Sequence, residues 1–362
     1  MSVIGDISQY PMPLGEITGP SVWYGPELAT RHKEWIRPFR SIELNELDVA
    51  MRRIKDRGLG IVDISKDDFP LPILGPVLDD IRHDVICGRG FALLRGLPVD
   101  RYSIEESAII YFGLGTHMGI AIPQNMKGHV LGHIKDLGRN EFDPNSRIYQ
   151  TTARQQFHTD TCDIAGLLCL HPAKSGGKSA IISAATLYNE VRRRRVDLLQ
   201  LLFQPFSADW RGDAPLESLG HYALPIFSWH KGLLNCRYVR RYIESARRFD
   251  DVPPLTEQEI EALDLFDELS DDPKLHLKME FRQGDIQFLH NHQILHDRTE
   301  YEDWDEPSRR RHLLRLWLNC PDGRPLPESF LPRFFTLEIG SPDRGGYRLP
   351  TGLSLNAPLE AE

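Results

Sequence analysis

The sequence predicts an α+β protein on three observations. Helical periodicity governs its first third, short aliphatic and aromatic runs separated by turn signals govern the rest, and two helical stretches interrupt that β-rich series. Residues 1–40 carry Pro and Gly without sustained periodicity and read as an extended lead-in. From Ser41 to Arg57, Ile42, Leu44, Leu47, Val49, Met51 and Ile54 alternate with charges at helical spacing, and Gly58 supplies the stop. A second helix is expected from Ile73 to Cys87. Gly88 and Gly90 then release the chain into Phe91–Leu94, a short apolar run that reads as a buried strand. A third helix opens at Ser103, whose capping box with Glu106 precedes an apolar series ending near Gly115.

Beyond that point the candidate strands are Gly166–Leu170, Ser179–Ser183, Tyr222–Trp229, Leu233–Val239, Leu275–Phe281, Ile286–Leu289 and Arg311–Leu318, a series suited to a β barrel or sandwich. Leu275, Leu277, Met279 and Phe281 alternate strictly, which fits a strand with one buried face. Helical insertions are expected near 186–202 and 256–270, the second opened by a capping box of Thr256 with Glu259. Residues 41–340 are read as one domain and 341–362 as a tail.

A chain of 362 residues exceeds the usual single domain, but barrels with helical insertions reach this length. A net charge of −9 argues against nucleic-acid or anionic-membrane partners, which need a basic surface. The run Arg192–Arg195 reads as the solvated face of a helix. The five cysteines are scattered and form no CxxC, so a reducing compartment fits, and no apolar run is long enough for a span. A soluble, cytoplasmic protein is expected.

Chemistry concentrates at two places. Phe157-His158-Thr159-Asp160 sets an imidazole and a carboxylate two residues apart, so both project to one side of an extended segment. A distant His would complete two imidazoles and one carboxylate on a single face of a metal, leaving the other positions open. One HxD is weak by itself. The stretch Gln283–Arg298 adds three histidines, His290, His292 and His296, behind a Gly-Asp turn and a short strand.

These motifs, together with Gly90-Phe91-Ala92-Leu93-Leu94-Arg95-Gly96, resemble the taurine dioxygenase and clavaminate synthase-like (TauD/TfdA) family over roughly residues 85–320. The resemblance implies a double-stranded β-helix (jelly-roll) core with flanking and inserted helices. It implies Fe(II) held by His158, Asp160 and His296, with Asn291 at the family's Asn position. His290 and His292 are the competing ligands, read otherwise as polar residues near the mouth of the site.

A dicarboxylic cosubstrate needs a cation at its far end, and the arginine fork suits a carboxylate. Arg311 and Arg315, four apart on a strand and about 13 Å from end to end, can share one face while His312 and Leu314 take the other. By the resemblance Arg311 binds the far carboxylate of 2-oxoglutarate, with Arg309 the alternative, and Ser179 after Gly176-Gly177 adds a hydroxyl. Arg315 then approaches the substrate or the metal-bound carboxylate. Gln124, Asn125 and Tyr149 are candidate pocket residues.

The implied reaction consumes 2-oxoglutarate and O2, releases succinate and CO2, and hydroxylates, desaturates or cyclises a small polar molecule such as an amino acid, another carboxylate or a specialised metabolite. The chain could work alone or as a homo-oligomer. Two rivals are a cupin-type metalloenzyme without 2-oxoglutarate and a non-catalytic binding protein. An ion pair between Arg311 and a protein carboxylate would favour the first of these.

Overall fold

A computed structural model describes residues 10–141, 143, 146–215 and 218–361; part of the lead-in, residues 1–9, lies outside them. The remainder of the lead-in is more structured than its composition suggests. It forms helix α1 (Gly25–Thr30) and strand β1 (Ile36–Pro38). Gly25 backs α1 against the chain at His276–Leu277, where a Cβ would collide with the His276 carbonyl oxygen.

Helices α2 (Ser41–Asp56) and α3 (Gly75–Cys87) precede β2 (Phe91–Arg95), and α4 (Ile104–Met118) follows it. The Ser103 hydroxyl accepts from Glu106 N at 3.1 Å and the Glu106 carboxylate accepts from Ser103 N at 2.9 Å, which closes the expected box. Apolar residues of all three helices join Leu94, Ile286, Phe288, Leu314, Leu316 and Leu318 in one core. The helices therefore cover one face of the larger sheet.

The rest of the chain runs through β3 (Ile120–Ala121), β4 (Leu131–Ile134), β5 (Gln155–His158), β6 (Ile164–His171), β7 (Ser175–Gly176), β8 (Ser179–Ser183), α5 (Ala184–Arg194), α6 (Val196–Leu201), β9 (Pro205–Asp209), β10 (His221–Pro225), β11 (Phe227–His230), β12 (Leu233–Cys236), α7 (Arg240–Ser245), α8 (Glu257–Asp271), β13 (Leu277–Met279), β14 (Ile286–His290), β15 (Ile294–Arg298), β16 (Tyr301–Glu302), β17 (His312–Asn319) and α9 (Leu331–Phe334). The larger sheet has the order β1-β2-β14-β6-β17-β3, with β4 also on β17; a second sheet has the order β13-β8-β15-β5. Phe91, Leu93 and Leu289 from the first meet Ile181, Leu277 and Met279 from the second in a shared apolar cluster, so the two sheets pack through it.

Several expectations need correction. Tyr222–Trp229 is two strands, because Pro225 brings no N–H to continue a ladder. Leu233–Val239 stops pairing at Cys236, and only Leu277–Met279 of the alternating run pairs. The insertion at 186–202 breaks at Arg195, whose ψ of 77° leaves the helical region, giving α5 and α6. Among the described residues no helix is long and apolar enough to cross a membrane.

The Gly-Asp turn before β14 is rigid for two reasons. Gly284 has φ +79°, and a Cβ there would strike the Leu97 carbonyl oxygen. Asp285, fully buried, accepts two bonds from Arg95 at 2.9 and 2.8 Å, which fixes the start of the strand relative to β2.

Candidate active site

His158 ends β5 and His296 lies within β15; in this antiparallel pair the two residues are direct register partners. Side chains directly opposite each other share one face, and the imidazole centroids lie 4.1 Å apart. Asp160, two residues further, comes to the same side. Its Oδ1 is 4.0 Å from His158 Nε2 and its Oδ2 is 3.9 Å from His296 Nε2. The ligand atoms of all three buried residues lie within 4.8 Å of one another.

Neighbours orient this group. His158 Nδ1 faces Gln156 O at 2.8 Å, which directs Nε2 inward, where the Gln155 amide nitrogen sits 2.8 Å from it. Asn291 accepts from the Asp160 backbone N–H at 3.0 Å, and Trp317 Nε1 donates to Asp160 Oδ2 at 2.8 Å. Burial keeps both histidines neutral, the His296 pKa falling to about 3 through burial and then the nearby His158. Burial alone would raise the Asp160 pKa, but Arg315, His296, His158 and the Trp317 bond outweigh it and hold the carboxyl below its usual value. Two neutral imidazoles and one carboxylate form a donor set suited to Fe(II).

Arg311 stands just ahead of β17, buried, with its guanidinium 5.1 Å from the Tyr301 ring and its Nε against the open Cα of Gly177. Its Nη1 has no hydrogen-bond partner among the described residues, and no carboxylate there forms an ion pair with it. Arg298, also buried, lies 4.8 Å from the same ring, with Nε and Nη1 likewise unsatisfied. Burial and then Arg311 lower the Arg298 pKa to about 10. Two buried cations with open donors match a carboxylate guest. Ser179 is the register partner of Arg298 and its hydroxyl donates to Asp297 O at 3.2 Å. Arg309 is exposed and stacks on Trp304 at 3.5 Å, away from this socket.

A cavity of about 1180 Å³ opens beside His158 and Asp160, lined in part by these two and by Gln124, Tyr149, Arg315 and Trp317. Arg315 donates to Gln124 Oε1 at 2.7 Å, lies 4.8 Å from the rings of both Tyr149 and Trp317, and comes within 3.8 Å of Asp160 Oδ2. Asn125 is not on this wall: its side chain accepts from Lys127 N and His129 N and closes a turn. His292 contacts Asp163 at 3.1 Å, and among the described residues His290 is buried without a bond to either ring nitrogen; neither joins the triad.

Arg298, Trp317 and Gln155 were not singled out from the sequence. Arg298 was within reach, since it follows His296 by two on the same strand and alternation puts the pair on one side.

Paired sheets, one of them bearing two imidazoles with a carboxylate beside them, fit a class, the mononuclear non-haem metal oxygenases, and comparisons narrow it. The sequence model of the taurine catabolism dioxygenase TauD, TfdA family matches residues 55–317. FR-33289 synthase of Streptomyces rubellomurinus (strain ATCC 31215) is 33% identical over 319 residues, 86% of this chain and 93% of that protein. The taurine hydroxylase-like protein SAT17 of Stachybotrys chartarum (strain CBS 109288 / IBT 7711) is 30% identical over 83% of this chain and 79% of its own length. An asparagine oxygenase, solved with Fe(II), 2S,3S-3-hydroxyasparagine and succinate, shares the fold at TM-score 0.61 and 16% identity, over 78% of this chain and 93% of that one. The chain belongs to the TauD/TfdA family. It is an Fe(II)- and 2-oxoglutarate-dependent dioxygenase, with O2 as the oxidant.

Proposed function

We propose that the enzyme oxidises an unactivated C–H bond of a small anionic molecule seated beside the triad, in a single domain of residues 41–340 that forms a jelly roll with β1 added to the edge of its larger sheet. The observation that carries the reading is the joint presence of the His158–Asp160–His296 cluster and of open guanidinium donors, Nη1 of Arg311 and Nε and Nη1 of Arg298, among the described residues. Bound there, Fe(II) with 2-oxoglutarate and O2 supplies the oxidation, coupled to release of succinate and CO2.

The chain's own residues set the geometry. His158 and His296 present neutral nitrogens, and Trp317 holds one oxygen of Asp160 so that the carboxylate keeps a fixed orientation. Arg311, with Arg298 beside it, takes the far carboxylate of the keto acid, and the Ser179 hydroxyl lies next to Arg298 in register. Arg315, braced by Gln124, turns positive charge towards the cavity and favours an anionic substrate.

The test is formation of succinate from 2-oxoglutarate with Fe(II) and ascorbate, run against a library of small acids and amino acids with mass spectrometry of the products. A mass increase of one oxygen, or a loss of two hydrogens, with an anionic compound and none with a His158→Ala variant is the expected result. Stimulation only by neutral or cationic compounds would overturn the reading.

A further inference from the structure

The cavity beside His158 and Asp160 carries a second cationic region. Arg147, Arg211, Arg237 and Arg333 all line it, as do Tyr242 and Tyr347. Other arginines at this cavity are engaged elsewhere: Arg240 pairs with Glu244, Asp264 and Asp267, Arg154 with Asp271 and Asp297, and Arg241 donates to Glu141 O. Of the inner four, Arg147 pairs with Asp213. Among the described residues no carboxylate pairs with Arg211, Arg237 or Arg333, although all three are buried.

Burying unpaired cations is costly unless a counter-ion arrives. Packing alone does not account for their placement. Arg211 adopts φ +57°, a strained value for a non-glycine residue, with its N–H held by Asp209 Oδ1 at 2.8 Å. Arg333 lies 4.6 Å from the Trp210 ring and 5.2 Å from the Tyr347 ring, and donates to Gly346 O at 2.8 Å. Arg237 donates to Thr159 Oγ1 at 2.9 Å and Thr161 Oγ1 at 3.1 Å, one residue to either side of Asp160, while its buried Nε has no partner among the described residues. Arg147 donates to the Tyr242 hydroxyl at 2.9 Å. Burial pushes the Tyr242 phenol up, but Arg147, Arg237, Arg211 and Arg333 pull it further down, so its net shift is below the ordinary tyrosine value.

We infer that this cage seats a phosphoryl or phosphonyl group, so that the substrate is a small phosphonate or phosphate monoester whose carbon chain reaches back to the triad. The inference rests on the reading of the triad and keto-acid socket above and narrows its anion. A carboxylate is a flat monoanion satisfied by one guanidinium fork. Three uncompensated guanidiniums call for a second negative charge and a third acceptor oxygen, which the tetrahedral dianion has.

The test uses the full chain loaded anaerobically with Fe(II) and 2-oxoglutarate and titrated calorimetrically with methylphosphonate, methyl phosphate, methanesulfonate or acetate at equal ionic strength. Either or both phosphorus dianions should bind about tenfold or more tighter than the two monoanions, and which of them binds separates a phosphonate from a phosphate ester. Arg211→Gln and Arg237→Gln should each weaken that binding by about tenfold or more, Arg237→Lys less so, while 2-oxoglutarate affinity stays unchanged and Arg240→Gln binds like the parent. Equal binding of all four anions, or dianion binding that survives both glutamine variants, overturns the cage with the keto-acid socket left standing. Failure of the parent to bind 2-oxoglutarate overturns the reading beneath it.

Discussion

At the scale of single residues the site is a set of opposed burial costs. Asp160 and the two imidazoles tolerate burial because each has a partner or stays neutral, whereas Arg311 and Arg298 keep donors open. Removing an open donor should be felt only when the guest is present. Arg311→Gln is expected to raise the 2-oxoglutarate KM by about 10- to 100-fold, and Arg298→Gln by about tenfold, with circular dichroism unchanged. A KM for Arg298→Gln equal to the parent's would remove Arg298 from the socket. Trp317→Phe takes away the N–H on Asp160 Oδ2 and should weaken Fe(II) binding by about tenfold, read by competition with a calibrated chelator.

Single elements carry the stability. Burial pushes the Glu43 carboxyl up, but Arg37 at 3.0 Å and Arg40 at 2.7 Å outweigh it and bring it down from 4.5 to about 2. A folded pKa below the unfolded one adds stability above pH 4.5 that is lost as pH falls towards 2. Glu43→Gln should therefore unfold more readily than the parent at neutral pH, with the gap in denaturant midpoint closing across that acid window. The turn ahead of β14 offers a second measure: Gly284→Ala should cost about 2 kcal/mol or more, since it combines a left-handed backbone with a collision at Leu97. Elements announced by local signals were the legible ones. The capping boxes at Ser103 and Thr256 and the apolar run of β2 stand where composition and period put them. Strands β5 and β15 carry the two histidines of the triad yet have mixed polar sequences, Gln155–His158 and Ile294–Arg298, because each gives polar side chains to the site; hydrophobic period cannot announce a strand built to hold an ion.

For the molecule as a whole, the triad was legible as spacing and type, while the cationic cage was not. Arg147, Arg211, Arg237 and Arg333 come from four separated segments, and only the fold gathers them. Guests that bind the folded chain alone should stabilise it: Fe(II) and 2-oxoglutarate, each at about a hundred times its Kd, add about 2.7 kcal/mol apiece. Under anoxia a thermal scan should show the midpoint rising with both present and falling back when a chelator is added, and His296→Ala should show no such response to the metal.

The two imidazoles meet because β5 and β15 are in register, not because a loop brings them together. One inserted residue in either strand would turn its histidine to the opposite face and disarm the enzyme at a stroke, so these strands have little latitude to drift. The segments bearing Arg147 and Arg211 lie outside those strands and escape that restriction. Descendants of this fold can thus trade one cargo for another by rewriting peripheral segments, with the oxidising machinery inherited intact.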